Sequence, residues 1–320
     1  MPRVSIVTAL FNKEAYIADT IRSVLQQTIR DWEMIVVDNG STDRGASIAR
    51  QFADPRIRVI ECLKRGPGAA RNVGISAATG DWIQFLDADD LLAKTHLSEL
   101  LACGEKTRCD LVVGRWRRFI DSPSNLLAEE KPAGEGQNRQ DLVDYAIAFA
   151  PWAVHAPILR RAVLANTAWP EHLDRYLGED IAFWFRLLSQ QVRLEYSRNA
   201  GALYRWKSTY CRTENEDPDK WFTGLHNAAM ENLSFLKGHN VAPTAKQCEH
   251  LMRLYEGIYS LARQKHNNPV ARQTSQLTKK WLSRSLSLSH YRFPLVVRRI
   301  VGLRLYCFLK RCRLSRAYGT

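Results

Sequence analysis

Trp82-Ile83-Gln84-Phe85-Leu86-Asp87-Ala88-Asp89-Asp90 changes character half-way along. Trp82 to Leu86 has the composition of a buried strand, and the chain then places three carboxylates within four positions. Carboxylates this close repel one another unless a cation, a cationic ligand or helix N-termini offset them. Two readings are open for the triplet. It meets a divalent ion that carries a diphosphate, or Asp90 caps a helix beginning near Lys94 while Asp87 and Asp89 are solvated turn residues.

Working outward, residues 1 to about 115 alternate strand-like and helix-like segments, as expected for a mainly parallel sheet covered by helices. The pattern predicts strands at Val4–Leu10, Glu33–Val37, Ile57–Glu61 and Trp82–Leu86, and helices at Ala15–Gln26, to about Phe52, and at Gly68–Ala78. Each polar cluster then falls just past the carboxyl end of a strand, the edge where open parallel sheets bind ligands. From 116 to 215 the pattern becomes irregular, with a polar loop at Asp121–Gln137, a helix from Arg160 and another opening at Gly178-Glu179-Asp180. Beyond Pro218 it reads as helical, at Lys220–Lys237, Thr244–Lys265, a weaker stretch to Ser285, and Pro294–Arg313. The expected organisation is therefore a unit over 1–215, divided near 115, followed by a basic helical region over 216–320.

The formal charge of +13 is unevenly spread over the 320 residues. Residues 257–320 hold fourteen Lys or Arg and no Asp or Glu, and removing those fourteen cations leaves residues 1–256 at −1. Basicity thus belongs to the C-terminal region and points to an anionic surface met there. A solvated helical cap or an oligomer interface is the alternative for the same residues. The seven cysteines form no Cys-x-x-Cys pair, and their odd number argues against a fully paired disulfide framework. A reducing cytoplasm is expected, since no charged-then-apolar leader precedes Val4 and no apolar run approaches about 18 residues.

Several motifs carry chemistry. In Asp38-Asn39-Gly40-Ser41-Thr42-Asp43 the later residues suffice for a tight turn and a helix cap, but Asp38, at a strand tip, suits a carboxylate that accepts hydrogen bonds from a base or ribose. Gly66-Pro67-Gly68-Ala69-Ala70-Arg71-Asn72 has arginine where a dinucleotide fingerprint needs its third glycine, and no such motif follows the first strand. A glycine-rich helix start beside a guanidinium is still an anion site, unless Arg71 simply faces water. Glu179 and Asp180 open a helix with an apolar stripe; they are dipole partners, or Asp180 is a general base. Trp152 is core or a platform for a sugar ring, and His155 is structural or catalytic.

These pieces in this order resemble family 2 of the nucleotide-sugar glycosyltransferases. The matching residues are Val4–Asn12, Val36–Asp43, Gly68–Gly74, Phe85–Asp90 and Gly178–Asp180, within about the first 210 positions. The resemblance implies the α/β GT-A fold, with a mainly parallel central sheet flanked by helices and a helical C-terminal extension. It implies that Ala9, Phe11, Asp38 and Asn39 line the nucleotide site, with Glu14 nearby and Arg71 near base or phosphates. Asp87-Ala88-Asp89 looks like the family's Asp-x-Asp motif, with Asp87 on the ribose and Asp89 on Mg²⁺ or Mn²⁺. Asp180 corresponds to the family's catalytic base, and Trp152, His155 and Glu179 are expected on the acceptor side. Asn39 stands where many members carry a second aspartate, and Ala9 where Pro or Thr is frequent. Lys207 takes the place of a frequent histidine near the metal, where it would contact the diphosphate directly or leave the third metal contact to phosphate and water alone.

The implied activity is inverting, metal-dependent transfer from a nucleoside diphosphate sugar, UDP-linked by preference, to a glycan or lipid-linked acceptor in surface polysaccharide synthesis. The expected location is cytoplasmic and peripheral on the inner face of the membrane, through the basic tail. Three rivals are weaker. A nucleic-acid-binding protein needs a basic–aromatic binding module, which the tail lacks, so no nucleic acid partner is expected. A sugar nucleotidyltransferase needs a glycine-rich basic loop after the first strand, where Ala9–Ala15 has none. A non-catalytic protein that only docks on an anionic surface has no need of Asp87, Asp89 and Asp180 together.

Overall fold

The computed structural model describes residues 2–120, 122–206 and 217–288. Its N-terminal part runs β1 (Val4–Leu10), α1 (Ile17–Leu25), β2 (Trp32–Asp38), α2 (Gly45–Arg50), β3 (Ile57–Glu61), α3 (Pro67–Ala77) and β4 (Trp82–Phe85). β1 and β2 are buried almost throughout, as their Ile, Val and Met content requires of strands covered on both faces. α1 turns Ile17, Ile21 and Val24 into the core, the helical spacing read from the sequence.

Strand order sets the position of the site. β3, β2, β1 and β4 lie side by side and parallel, so the chain first winds outward from β1 through β2 to β3 and then returns to β1's other side as β4. Val7 pairs with Phe85 and Leu10 with Asp38, which aligns the carboxyl tips of β1, β2 and β4. The reversal between β1 and β4 opens a crevice at that edge, where no crossover helix covers the sheet.

The second half is mixed. After the short β5 (Leu91–Leu92) and α4 (His96–Thr107) come β6 (Leu111–Phe119), β7 (Leu126–Glu130), α5 (Arg139–Ala146), β8 (Pro157–Arg160), α6 (Glu179–Leu188) and β9 (Leu194–Arg205). β8 joins β4 and β6 antiparallel, β6 and β9 are parallel, and β5 closes the edge against β9. Two expectations change here. The polar loop at 121–137 contains β7, a largely exposed strand paired only with β6. The helix expected from Arg160 is the end of β8 followed by one 3-10 turn at Arg161–Leu164, because pairing with β4 and β6 holds Pro157–Arg160 extended.

α7 (Pro218–Gly238), α8 (Ala245–Gln264) and α9 (Asn268–Leu288) follow. α8 starts with a capping box between Thr244 and Gln247, and Thr244 also donates to Asp144 of α5 at 3.0 Å. Leu236, Leu251, Tyr255, Ile258 and Trp281 belong to the same apolar cluster as the sheet, so these helices extend the core rather than forming their own. Pro294–Arg313 lies outside the described residues.

Candidate active site at the carboxyl edge of the sheet

The acidic triplet leaves β4 into the crevice, and each carboxylate meets a different cation. Asp87 Oδ1 accepts from Arg71 Nη2 at 2.8 Å, and Asp89 Oδ2 from Lys13 Nζ at 2.7 Å. Asp90 Oδ2 lies 3.0 Å from His155 Nδ1, both side chains being about 1% exposed. Compensation of the cluster is therefore supplied from α3, from the segment after β1, and from the segment before β8.

Arg71, on the first turns of α3, is 4% exposed and stacks over the Trp169 ring at 4.3 Å. Its Nη1 lies 3.7 Å from Glu179 Oε1 at the start of α6. Arg71 thus does not face water; it spans Asp87 and Glu179. Burial pulls Asp87 toward neutrality, but the guanidinium outweighs it and holds the carboxyl below the usual range. Trp169 stacks on Phe183 at 4.0 Å, and Phe85 meets Trp169 edge-on, so an aromatic floor fixes the arginine from below.

Asp90 does not cap α4, which begins at His96 behind Thr95. It accepts from Arg205 N at 2.7 Å, and Arg205 Nε donates to Asp89 O at 2.9 Å, so β9 pins the triplet's backbone. Burial raises Asp90 to about 6, and the neighbouring carboxylates raise His155 against its own burial. The pair holds its proton more tightly than either group would in water. Beneath it, Gln84 Nε2 donates to Phe85 O and His155 O. Gln84 Oε1 is thereby the acceptor for His96 Nε2 at 3.0 Å, consistent with burial lowering His96 to about 3 and keeping it neutral.

The turn after β2 is held from within and by the segments beside it. Asp38 Oδ1 accepts from Ser41 N at 3.1 Å, while Asn39 donates to Lys64 O at 2.8 Å and accepts from Gly66 N at 2.6 Å. The Asn39 side chain, 5% exposed, ties the turn to the glycine loop. Glu14 accepts from the backbone and side chain of Arg44, which lower its pKa. Phe11 is 41% exposed under the Arg65 guanidinium, Ala9 sits near the tip of β1, and Ala88 is buried with its carbonyl accepting from Thr20.

The anion site at the start of α3 is filled from within the chain. Asp174 accepts from Gly68 N at 2.7 Å and Ala69 N at 2.8 Å, taking the place in which the sequence had put a phosphate. The two glycines make room for it: Gly66 adopts φ +130°, and a Cβ at Gly68 would lie 2.6 Å from Asp174 Oδ1. Glu171 binds Lys64 and Asn72 beside it, so residues 169–174 clamp the whole loop.

Two residues expected on the acceptor side are buried. Trp152 is 3% exposed and packs edge-on against Trp184, so its ring is core and offers no face to a sugar. His155, enclosed by Asp90 and the stacked Tyr204, is equally closed to an acceptor. Glu179 is 7% exposed and faces Arg71, whereas Asp180 is half-buried at the head of α6 with its Oδ1 2.9 Å from Ile181 N. Lys207 lies outside the described residues. Lys13, Arg205 and Asp174 were missed in the sequence; only Lys13, a cation just past a strand tip, left a local signal there.

A hard divalent ion fits these residues in a limited way. Carboxylate oxygen is the right donor, but Asp87 is engaged by Arg71, and among the described residues no group of three or more His, Cys, Asp or Glu could hold a metal. The described residues offer one or two oxygens, which suits an ion whose other ligands are phosphate oxygens and water.

A family model described as glycosyl transferase family 2 matches residues 5–163, the segment that carries β1 to β8 and every cation named above except Arg205. The chain belongs to that family. This family 2 chain is 40% identical over 114 residues to the uncharacterized glycosyltransferase EpsJ of Bacillus subtilis, covering 35% of this chain and 33% of that one. It is 41% identical over 103 residues to the putative teichuronic acid biosynthesis glycosyltransferase TuaG of the same organism, covering 31% and 41%. An uncharacterized glycosyltransferase of Methanocaldococcus jannaschii is 29% identical over 199 residues, covering 61% and 67%. The match with EpsJ thus spans about a third of that relative's length. Among solved structures, Staphylococcus aureus TarS residues 1–349 in complex with UDP-GlcNAc superimposes with a TM-score of 0.68 at 17% identity, covering 100% of this chain and 93% of that one. The family 2 chain therefore has the GT-A fold.

Proposed function

We propose that the chain is an inverting, metal-dependent glycosyltransferase that moves a sugar from a nucleoside diphosphate sugar to a glycan or lipid-linked acceptor in surface polysaccharide synthesis. The observation that carries this reading is the run of charge from Lys13 and Asp89 through Asp87 and Arg71 to Glu179, next to Asp180. It joins the crevice at β1 and β4 to the head of α6. Donor and acceptor chemistry need that adjacency, because the hydroxyl must be deprotonated beside the carbon that loses the diphosphate.

In this reading Asp38 takes the ribose or base, with Ala9, Phe11 and the Asn39 backbone lining the nucleotide. Asp87 takes the ribose, and Asp89 is the metal ligand. Asp180 accepts the acceptor hydroxyl's proton as its oxygen bonds to the anomeric carbon, and the bond to the diphosphate breaks on the opposite face. A bound Mg²⁺ or Mn²⁺ supplies Lewis acidity for the departing diphosphate. The family likeness supports transfer chemistry, the UDP-GlcNAc held by TarS supports a UDP-linked donor, and the name of TuaG supports a polysaccharide acceptor. Residues 1–215 would form the transferase unit and 216–320 a helical region for docking.

Calorimetric titration with UDP, GDP, TDP and CDP, each with Mn²⁺ and with EDTA, tests the donor. Metal-dependent binding of UDP is expected, and no binding of any of the four would overturn the reading.

The basic region supports a peripheral position on an anionic bilayer, where each Lys or Arg contributes about 1 kcal/mol. No helix among the described residues is long and apolar enough to cross a membrane. The full chain should cosediment with vesicles containing phosphatidylserine, and equal binding to phosphatidylcholine vesicles would remove the docking role.

A further inference from the structure

The cation that faces Asp89 belongs to the chain. Lys13 follows β1 and Asp89 follows β4, the two strands between which the parallel order reverses, so their contact crosses the ligand crevice itself. The Lys13 ammonium lies 2.7 Å from Asp89 Oδ2, with the side chains 13% and 16% exposed. Tyr16 flanks the lysine, its ring centroid 5.7 Å from Nζ. The other carboxylate of the motif, Asp87, is held by Arg71, a guanidinium fixed on an aromatic ring and nearly devoid of exposure. The two cations differ in kind. Arg71 is immobile, whereas an ammonium on a four-carbon stem is a point charge that can exchange one oxygen partner for another.

A divalent ion approaching Asp89 alone meets this ammonium at contact distance and must repel it. A nucleoside diphosphate changes the balance, since it brings phosphate oxygens that can take both the ion and the ammonium. We infer that Lys13 guards Asp89: it holds the carboxylate closed to free divalent ions and passes its ammonium to the donor's phosphates, so that metal and nucleotide bind as one unit. This rests on the crevice being the donor site, as proposed above. It assigns to Lys13 a binding role that the motif residues around it do not carry.

The test is Mn²⁺ binding, by calorimetry and by the electron paramagnetic resonance of the free ion, to the full chain with and without UDP. The wild-type chain should bind Mn²⁺ weakly alone and much more tightly with UDP. Lys13→Met should bind Mn²⁺ without nucleotide on the order of tenfold more tightly, since the opposing charge is gone. In that variant UDP should tighten the ion less than in wild type. Lys13→Gln, which keeps a polar side chain, should behave alike and stands in if the methionine variant folds poorly. Adding Asp89→Asn to either variant should abolish the gain.

Unchanged affinity for Mn²⁺ in the nucleotide-free variants overturns the guard. A gain in Mn²⁺ affinity with undiminished coupling to UDP overturns the transfer to phosphate. Failure of the wild-type chain to bind UDP under any condition sinks the donor-site reading instead, and the nucleotide-free titrations still decide whether Lys13 guards Asp89.

Discussion

Arg71 lies 2.8 Å from Asp87, a residue that follows β4 of the N-terminal parallel strands, and its other nitrogen lies 3.7 Å from Glu179 at the head of α6. One buried guanidinium thus fixes the spacing between Asp87 and the helix that carries Asp180. Arg71→Met should leave the buried Glu179 and the 32% exposed Asp87 short of their counter-charge and cost about 1–3 kcal/mol in urea unfolding. Arg71→Lys, able to reach only one of them, should fall between that and wild type. A loss for Arg71→Met within the error of the wild-type midpoint would mean that the carboxylates find other compensation.

Asp180 is the carboxylate at the head of α6 that keeps partial exposure, while its neighbour Glu179 is turned inward. Asp180→Asn should preserve UDP affinity while lowering kcat about a hundred- to ten-thousand-fold, the range for loss of a general base. Normal turnover by this variant would place the base elsewhere.

Glu33, at the opposite edge of the sheet from the crevice, is a buried carboxylate. It accepts from Ser5 Oγ, Thr79 N and Thr79 Oγ1, each at 2.7 Å, and from Arg58 Nη2 at 2.9 Å. Burial acts to raise its pKa, but these donors prevail and bring it from 4.5 to about 2. A depressed carboxylate stabilises the fold above its unfolded pKa, and that contribution is lost as pH falls through the folded one. Glu33→Gln should therefore cost about 1–3 kcal/mol at pH 7. The gap to wild type should narrow as pH falls from 4.5 toward 2. A gap that stays constant over this window would contradict the assignment of charge to Glu33.

Asp174 and Gly68 form a pair suited to a double-mutant cycle. Asp174→Ala should cost about 1–2 kcal/mol as α3 loses its acceptor. Gly68→Ala should also destabilise, because its Cβ would press on Asp174 Oδ1. In the double variant the clash has no partner, and the two losses should fall short of additive by about 0.5–3 kcal/mol in thermal or urea unfolding. Full additivity would separate the two sites.

The frame of the N-terminal parallel strands was legible because its signals are local. Val4–Leu10 and Ile57–Glu61 are strands with the bounds read from composition, and the apolar stripe after Gly178 is helix α6. What escaped depends on distant partners. β7, Leu-Leu-Ala-Glu-Glu, is exposed on both faces and has no alternation to read, and Pro157–Arg160 is extended only because β4 and β6 flank it. The triplet's acidity was plain in the sequence, but its cations were not. Lys13 lies 76 positions from Asp89, and nothing near Asp174 announces that it will occupy the helix start at Gly68. Trp152 stayed open between core and sugar platform, since an aromatic residue suited to one is equally suited to the other until its neighbours are known.

The reach of Asp174 also bears on biosynthesis. Its carboxylate lies 106 positions downstream of Gly68. At about 5–20 residues per second, a nascent chain waits about 5–20 s between making the glycine loop and making the acid that closes it. During that interval the first four parallel strands can assemble, but the loop beside them is open to any anion in the surrounding fluid. Closure of the glycine loop by this acid therefore has to await synthesis of the segment around Asp174.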